Sequence, residues 1–405
     1  MRGFLRVLLA FVLALAAMLV ALYLWIGATK VPTYSLTPVS LSVEPTPVLV
    51  AEGRRIAEVL CTECHRDPTT EKLAGRLLTD VPASLGRFHS ANITRDRVHG
   101  IGDWTDGDLA RLLRTGVRRD GRFIVIMPQF NRLADEDLAA LIAYLRSDAT
   151  ELSPVEVTQP PAEPAWLGKA VLRFMLKPAT YPTSPIPAPD RSDAVAWGRY
   201  LVRDKFDCSG CHTNNFAPDP INPERTKGYM QGGFELIGPG GEPLLSSNLS
   251  PDDETGIGRW SLDDFSRAMK NGARPDHTPI RPPMPRFRQL TDEEIAAMYA
   301  YLRGLPAAHN PVPRPELPPL PDTADLGQKL YAKYECATCH GEDGKGDNDL
   351  TGAATKWATD EEIAAYIKNP SRFVPDTQMP EWEGVIAEEE FLPLAAYVRR
   401  LGGGR

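Results

Sequence analysis

The sequence predicts an all-α protein, three tandem helical domains after an N-terminal transmembrane helix. Three observations carry that expectation. An apolar run fills residues 7–26, one pattern of helical segments recurs three times downstream, and proline-rich stretches separate the recurrences. The boundaries read 1–30 for the anchor, 31–47 for a first linker and 48–150 for the first domain. A second linker with a short amphipathic segment follows at 151–190, then a second domain at 191–305, a third linker at 306–321 and a third domain at 322–405. A chain of 405 residues exceeds what one ordinary core holds, in keeping with the division.

The apolar run comes first. Its length as a helix, at ~1.5 Å per residue, is ~30 Å, enough to cross a bilayer core. Arg2, Arg6 and the amino terminus precede it and Lys30 follows, so the positive-inside rule keeps the N-terminus in the cytoplasm and exports the rest. A cleaved signal would have a shorter apolar region, ~7–15 residues, ending in a small-residue site. Here the run is longer and leads into Gly27-Ala28-Thr29-Lys30, which favours a retained anchor. The net charge of −8 is spread over mixed acidic and basic residues and argues against a nucleic-acid partner.

All six cysteines fall in one motif, Cys61-Thr-Glu-Cys64-His65, Cys208-Ser-Gly-Cys211-His212 and Cys336-Ala-Thr-Cys339-His340. Disulfides, a zinc site or a redox pair would each use paired cysteines. None of them requires a histidine directly after the second cysteine in every case. C-x-x-C-H is the attachment signature of c-type haem. On one helical turn, residues i, i+3 and i+4 share a face. Two thiols can then bond the vinyl groups of one porphyrin while the histidine reaches its iron. Three motifs predict three covalently bound haem c groups, with His65, His212 and His340 as proximal ligands.

The chain can be laid over itself. "SANITRDRVHGIGDWTDGDLARLLRTGV" (Ser90–Val117) aligns without a gap on "SSNLSPDDETGIGRWSLDDFSRAMKNGA" (Ser246–Ala273). Met127-Pro128 and Met284-Pro285 come next, and then "LADEDLAALIAYLRS" and "LTDEEIAAMYAYLRG". The third unit is more distant but keeps the order, with Trp357, "TDEEIAAYIKNP", Met379-Pro380 and a last helix ending at Leu401. Ahead of each haem motif runs a helical pattern containing one glycine, Gly53, Gly198 or Gly327. Each unit reads helix, C-x-x-C-H, loop, Trp-led helix, Met-Pro loop and a terminal helix with Tyr144, Tyr301 or Tyr397.

Each unit resembles a class I cytochrome c domain, in which the first and last helices cross through a glycine and an aromatic. The first two units, with N-[IL]-[ST]…G-I-G-x-W and Met-Pro-x-Phe, resemble the membrane-bound multihaem cytochrome subunits of bacterial periplasmic alcohol, gluconate and fructose dehydrogenases. The likeness covers Ala51–Ser147 and Ala194–Leu305. Two departures stand out. The third unit is closer to single-haem domains fused to oxidases or found alone, and the anchor replaces the family's usual cleaved signal.

The resemblance implies that Met127, Met284 and Met379 are the sixth ligands. Proline biases the residue before it away from helix, which suits a methionine on an extended loop. A His/Met pair raises the haem potential. The competing reading is core packing, the commonest role of methionine, and "FIVIMPQF" around Met127 is apolar enough for it. Met18, Met175, Met230, Met269 and Met298 are left under that core-packing reading. His277 lies between the second motif and Met284 as a rival ligand, whereas His89, His99 and His309 read as surface or hydrogen-bonding residues. Trp104, Trp260 and Trp357 recur at matched places and are expected to wall the haem pockets.

The proline-rich linkers suit stiff, extended spacers. In the second, "WLGKAVLRFMLKP" places Trp166, Ala170 and Phe174 on one helical stripe beside Lys169, Arg173 and Lys177. Such a segment either lies on an anionic membrane surface or packs on an adjacent lobe. The implied function is a single-pass cytochrome of the bacterial inner membrane with periplasmic haem domains. It would pass single electrons between a dehydrogenase or quinol and a quinone, soluble cytochrome or terminal oxidase. With all axial positions assigned, the chain is not an enzyme by itself. The alternative is a peroxidase-like haem enzyme or gas sensor with one open iron, most readily at Met127.

Overall fold

The computed structural model describes residues 2–403 except 125, 216–221, 239–240, 277, 314–323, 347, 375–376, 378 and 380. The chain divides into two compact units, Met1–Ala188 and Pro189–Arg405. Helix dominates both, at 43% of the chain. Two short antiparallel ribbons depart from the all-α expectation, β1 (Gly86–Arg87) with β2 (Glu163–Pro164) and β3 (Glu235–Ile237) with β4 (Pro243–Leu245).

The first unit opens with α1 (Arg2–Ala28), among the described residues the one helix long and apolar enough to cross a membrane. It fits a single-pass anchor. There follow α2 (Pro47–Leu60), the one-turn α3 (Thr62–His65), α4 (Asp106–Thr115), α5 (Asp135–Arg146) and α6 (Trp166–Phe174). Helices α2 and α5 cross at Gly53, where a Cβ would overlap the carbonyl of Ala140 and press on Tyr144. Around that crossing Ile56, Leu109, Leu113, Leu133, Leu141 and Tyr144 form the core, with Cys61 among them. Thr105 and Asp108 close a reciprocal cap on α4, which satisfies two backbone donors at its start.

Both linkers of this unit are docked along the domain rather than standing off it as spacers. Tyr34 N–H donates to Gly121 O at 2.8 Å and Val43 N–H to Asp106 Oδ2 at 2.9 Å. Asn92 Nδ2 donates to the carbonyls of Val155 and Val157 at 2.8 and 2.9 Å, and Gln159 Nε2 to those of Ala74 and Gly75, both at 2.9 Å. Proline removes N–H donors but keeps carbonyls, and the residues between prolines keep both, so a proline-rich strand still docks through backbone and side-chain groups alike.

Helix α6 packs on the end of α1. The Trp166 indole N–H donates to Tyr23 O at 2.9 Å and its ring stacks on Tyr23 at 5.1 Å. Lys169 Nζ donates to Gly27 O, and the Arg173 guanidinium lies 5.3 Å over the Trp25 ring. Leu167, Phe174 and Met175 stay exposed, so Met175 at the C-terminal cap of α6 is not a core methionine. Met18 is likewise exposed on the anchor, whereas Met230, Met269 and Met298 are buried as expected.

The second unit holds two further helix crossings. Helices α7 (Ala194–Tyr200), α8 (Cys208–His212), α9 (Leu262–Lys270) and α10 (Asp292–Arg303) make the first. Helices α11 (Leu326–Lys333), α12 (Ala337–His340), α13 (Ala353–Lys356), α14 (Asp360–Lys368), α15 (Pro370–Phe373) and α16 (Phe391–Leu401) make the second. Gly198 faces the Ala297 carbonyl, and Gly327 faces Pro393 O and the Tyr397 Cβ.

Crossing glycine and first cysteine are eight residues apart in the first repeat, ten in the second and nine in the third. The excess is absorbed locally. Leu201–Lys205 winds as a π-helix, and Asp207 and Glu335, each directly before its cysteine, take φ 45° and 53°. Left-handed backbone at a non-glycine residue costs about 1–3 kcal/mol, which the surrounding core must hold.

Candidate functional site

Each C-x-x-C-H motif forms the expected single turn, α3, α8 and α12, at the end of a crossing helix. His65 N–H donates to Cys61 O at 2.9 Å and His340 N–H to Cys336 O at 3.1 Å. The six cysteines are not joined in disulfides. Burial pushes the Cys61, Cys208 and Cys336 thiols up to about 12 and Cys64 to about 11. Surroundings that disfavour a thiolate suit a neutral thioether better than a charged metal ligand. Among the described residues no three His, Cys, Asp or Glu side chains converge as a metal-ion site requires.

The three histidines share one hydrogen bond. Nδ1 lies 2.7 Å from Ala91 O in His65, 2.8 Å from Ser247 O in His212 and 2.6 Å from Asn348 O in His340. A carbonyl only accepts, so Nδ1 carries the proton and Nε2 keeps its lone pair. Burial lowers all three pKa values and favours the neutral ring. A neutral imidazole with an oriented, unprotonated Nε2 is what an iron ligand needs. With two thiols on the same turn, the donor set fits covalent haem c.

The N-[IL]-[ST] motif builds this bond in the first two repeats. Ala91 and Ser247 directly precede Asn92 and Asn248. Asn92 Oδ1 accepts from Thr94 N and Oγ1 at 2.9 and 2.7 Å, and Asn248 Oδ1 from Ser250 N at 2.9 Å. Their amides hold the segment after the last helix, Asn92 on Val155 and Val157, Asn248 on Ala308 O at 2.8 Å. Each asparagine thus pins the loop that orients a histidine. Asn92→Ala strands a buried N–H and two carbonyls, and urea unfolding should show a loss of about 1–3 kcal/mol.

The Met-Pro loops are anchored by the aromatic three residues after each methionine. Phe130, Phe287 and Trp382 are all buried. Their N–H groups donate to Leu113 O, Met269 O and Lys368 O, in the last turns of α4, α9 and α14, at 2.8, 2.9 and 3.0 Å. Phe287 meets Phe206 edge-on at 5.5 Å, and Trp382 meets Tyr334 at 5.8 Å. Phe206 and Tyr334 each stand two residues before a haem-motif cysteine, so the ring contact ties the methionine loop to the motif.

Met127 and Trp104 pack against the cluster that holds Cys61; Met379, Trp357 and Cys336 pack against a second one. Trp260 offers its carbonyl to Tyr299 Oη at 2.6 Å. His99 Nδ1 lies 3.0 Å from Asp96, and His309 is an exposed residue 3.6 Å from Asp252. His89 departs from expectation, because its Nδ1 is buried with no hydrogen-bond partner; the pairing of Leu77 with His89 turns it inward. His277 lies outside the described residues.

Sequence reasoning noticed Met-Pro-x-aromatic but not what the aromatic does; the constant spacing was the available signal. It also missed the arginine near the end of each terminal helix. Arg146 pairs with Asp106 at 2.9 Å and Arg399 with Asp360 at 2.6 Å, while Arg303 donates to Gly258 O. Each closes the terminal helix on the segment leading the Trp-led helix or on that helix itself.

Comparison with known proteins agrees with this geometry. Residues 50–148 and 195–306 match the cytochrome c family, and residues 322–398 match the family described as cytochrome c oxidase, cbb3-type, subunit III. The chain is 26% identical to the cytochrome c subunit of a quinone alcohol dehydrogenase from Gluconobacter oxydans, over 87% of this chain and 78% of that one. It is 31% identical to the fructose dehydrogenase cytochrome subunit of Gluconobacter japonicus, over 76% and 68%. It is 29% identical to the gluconate 2-dehydrogenase cytochrome c subunit of Pantoea cypripedii, over 73% and 70%.

Proposed function

The chain belongs to the cytochrome c family, and from that premise we propose that it is the membrane-anchored, trihaem electron-transfer subunit of a quinone-linked dehydrogenase. Haem c supplies an iron that takes up and releases one electron at a time. The residues do the rest. Cys61 and Cys64, Cys208 and Cys211, and Cys336 and Cys339 hold three porphyrins, one per domain. His65, His212 and His340 would offer Nε2 to the irons, and Met127, Met284 and Met379 would offer their thioethers. The carrying observation is the same Nδ1–H to carbonyl bond at all three histidines.

The partner is a dehydrogenase catalytic subunit outside the cytoplasm, and the acceptor a quinone, soluble cytochrome or terminal oxidase. Helix α1 anchors the chain in the bacterial inner membrane with its N-terminus inside. The contact of α6 with the last turn of α1 supports the membrane-surface reading of the basic stripe, since Lys169, Arg173 and the exposed Phe174 sit where the anchor leaves the bilayer.

Intact-mass measurement of the purified chain should show three haem additions, and carbon monoxide should leave the reduced spectrum unchanged. Fewer than three additions overturns the trihaem assignment. Prompt carbon monoxide binding by one haem replaces the pure carrier with a haem enzyme or sensor.

A further inference from the structure

The loop carrying Met284 does more than anchor itself. Arg281, three residues before the methionine, grips Glu335 with both arms, Nε to Oε2 at 2.5 Å and Nη2 to Oε1 at 2.8 Å. The two side chains are only 15% and 13% exposed, so the pair is largely removed from water. Arg288, four residues after the methionine, donates Nη1 to Thr377 O at 2.5 Å and Nη2 to Met379 O at 2.6 Å. Ala273, just past α9, is buried in the cluster built otherwise from residues 330–398.

These contacts converge on two elements of the third repeat. Glu335 precedes Cys336 and holds the left-handed backbone that starts the haem motif. Met379 is the methionine of the facing loop. One loop therefore grips both sides of the neighbouring site. The first repeat has Ile124 and Asn131 where the second has Arg281 and Arg288. The arginines are thus additions to the second repeat, not requirements of its fold. Domains joined by a linker move relative to one another unless an interface stops them. A desolvated bidentate guanidinium–carboxylate pair fixes direction as well as distance.

We propose that Arg281, Arg288 and Glu335 form an inter-domain clamp that locks the Met284 loop against the mouth of the third haem site, so that one electron passes directly between the second and third haem groups. The assignment of an electron rests on the trihaem reading; the clamp itself does not. No atom or proton moves in that step, so these residues serve as positioning groups alone.

Three variants test it, Arg281→Gln, Glu335→Gln and the double substitution. Hydrogen–deuterium exchange over residues 281–288 and 334–340 should rise in each, and the double variant should equal either single one, as a shared pair demands. With three haems confirmed by mass, photoreduction should show intramolecular transfer slowed ~10-fold or more, by analogy with the effect of small misplacements on other reactions. Unchanged exchange in all three variants overturns the clamp, whatever the haem content. Raised exchange with an unchanged transfer rate overturns the electron junction. Fewer than three haems by mass would instead fail the trihaem reading, with the exchange result still deciding the clamp.

Discussion

Met284→Ala should open one haem iron in three to carbon monoxide and lower that haem's potential, with its covalent attachment through Cys208 and Cys211 intact. Axial ligands command a span of about 0.8 V in haem proteins, and exchange of a neutral thioether for water is one of the larger moves within it. The loop should survive the change. Its position rests on Phe287, which donates to Met269 O and packs on Phe206, and on Arg288, while Met284 itself is only partly buried. Met298→Ala supplies the contrast. Met298 is 1% exposed on α10, so its truncation should cost about 2–5 kcal/mol and leave every iron closed. A redox titration with carbon monoxide difference spectra separates the two. If Met284→Ala leaves the potential unmoved and the iron closed, the methionine is not the ligand.

Gly53→Ala should lower the thermal midpoint of the first unit by about 6–12 °C. A methyl there overlaps the Ala140 carbonyl, backbone of a helix that cannot rotate aside, and presses on Tyr144. Overpacking a tight contact costs about 1–3 kcal/mol, and the upper end applies where backbone is the obstacle. In a unit of this size each 1 kcal/mol moves the midpoint by about 2–4 °C. Arg54→Ala, one residue on and half exposed, should move it by under about 3 °C, because its pairs with Glu58 and Glu151 lie near the surface. Calorimetry on the two variants checks the contrast, and equal shifts would mean that the crossing is looser than its geometry.

Much of the fold was legible because covalent chemistry and helical periodicity are local. Gly53, Gly198 and Gly327 sit in apolar-periodic segments ahead of a C-x-x-C-H motif, and all three lie at helix crossings. The anchor, the Trp-led helices and the terminal helices followed from their patterns. The linkers did not. Proline density suggested stiff, extended spacers, yet Asn92 holds the second linker's carbonyls and Gln159 of that linker reaches back to Ala74, and nothing in a proline run announces which distant groups it will meet. The left-handed Asp207 and Glu335 were hidden for a similar reason, since both are ordinary acidic residues forced into that backbone by a spacing mismatch.

By itself, then, the sequence determined the chemistry at the sites, three thiol pairs each with its histidine, three methionines ahead of proline, and the helices that bear them. These depend on residue type and on spacings of three or four, which one turn of helix enforces. Only the tertiary structure decided which carbonyl orients each imidazole, which ring holds each methionine loop, and that Arg281 reaches Glu335. Those partners stand 26 and 35 residues apart at the first two imidazoles, 8 at the third and 54 at the clamp, or share only a fixed offset whose meaning appears once the chain is packed. Contacts of that range follow from how helices cross and where loops land, and no local pattern encodes them.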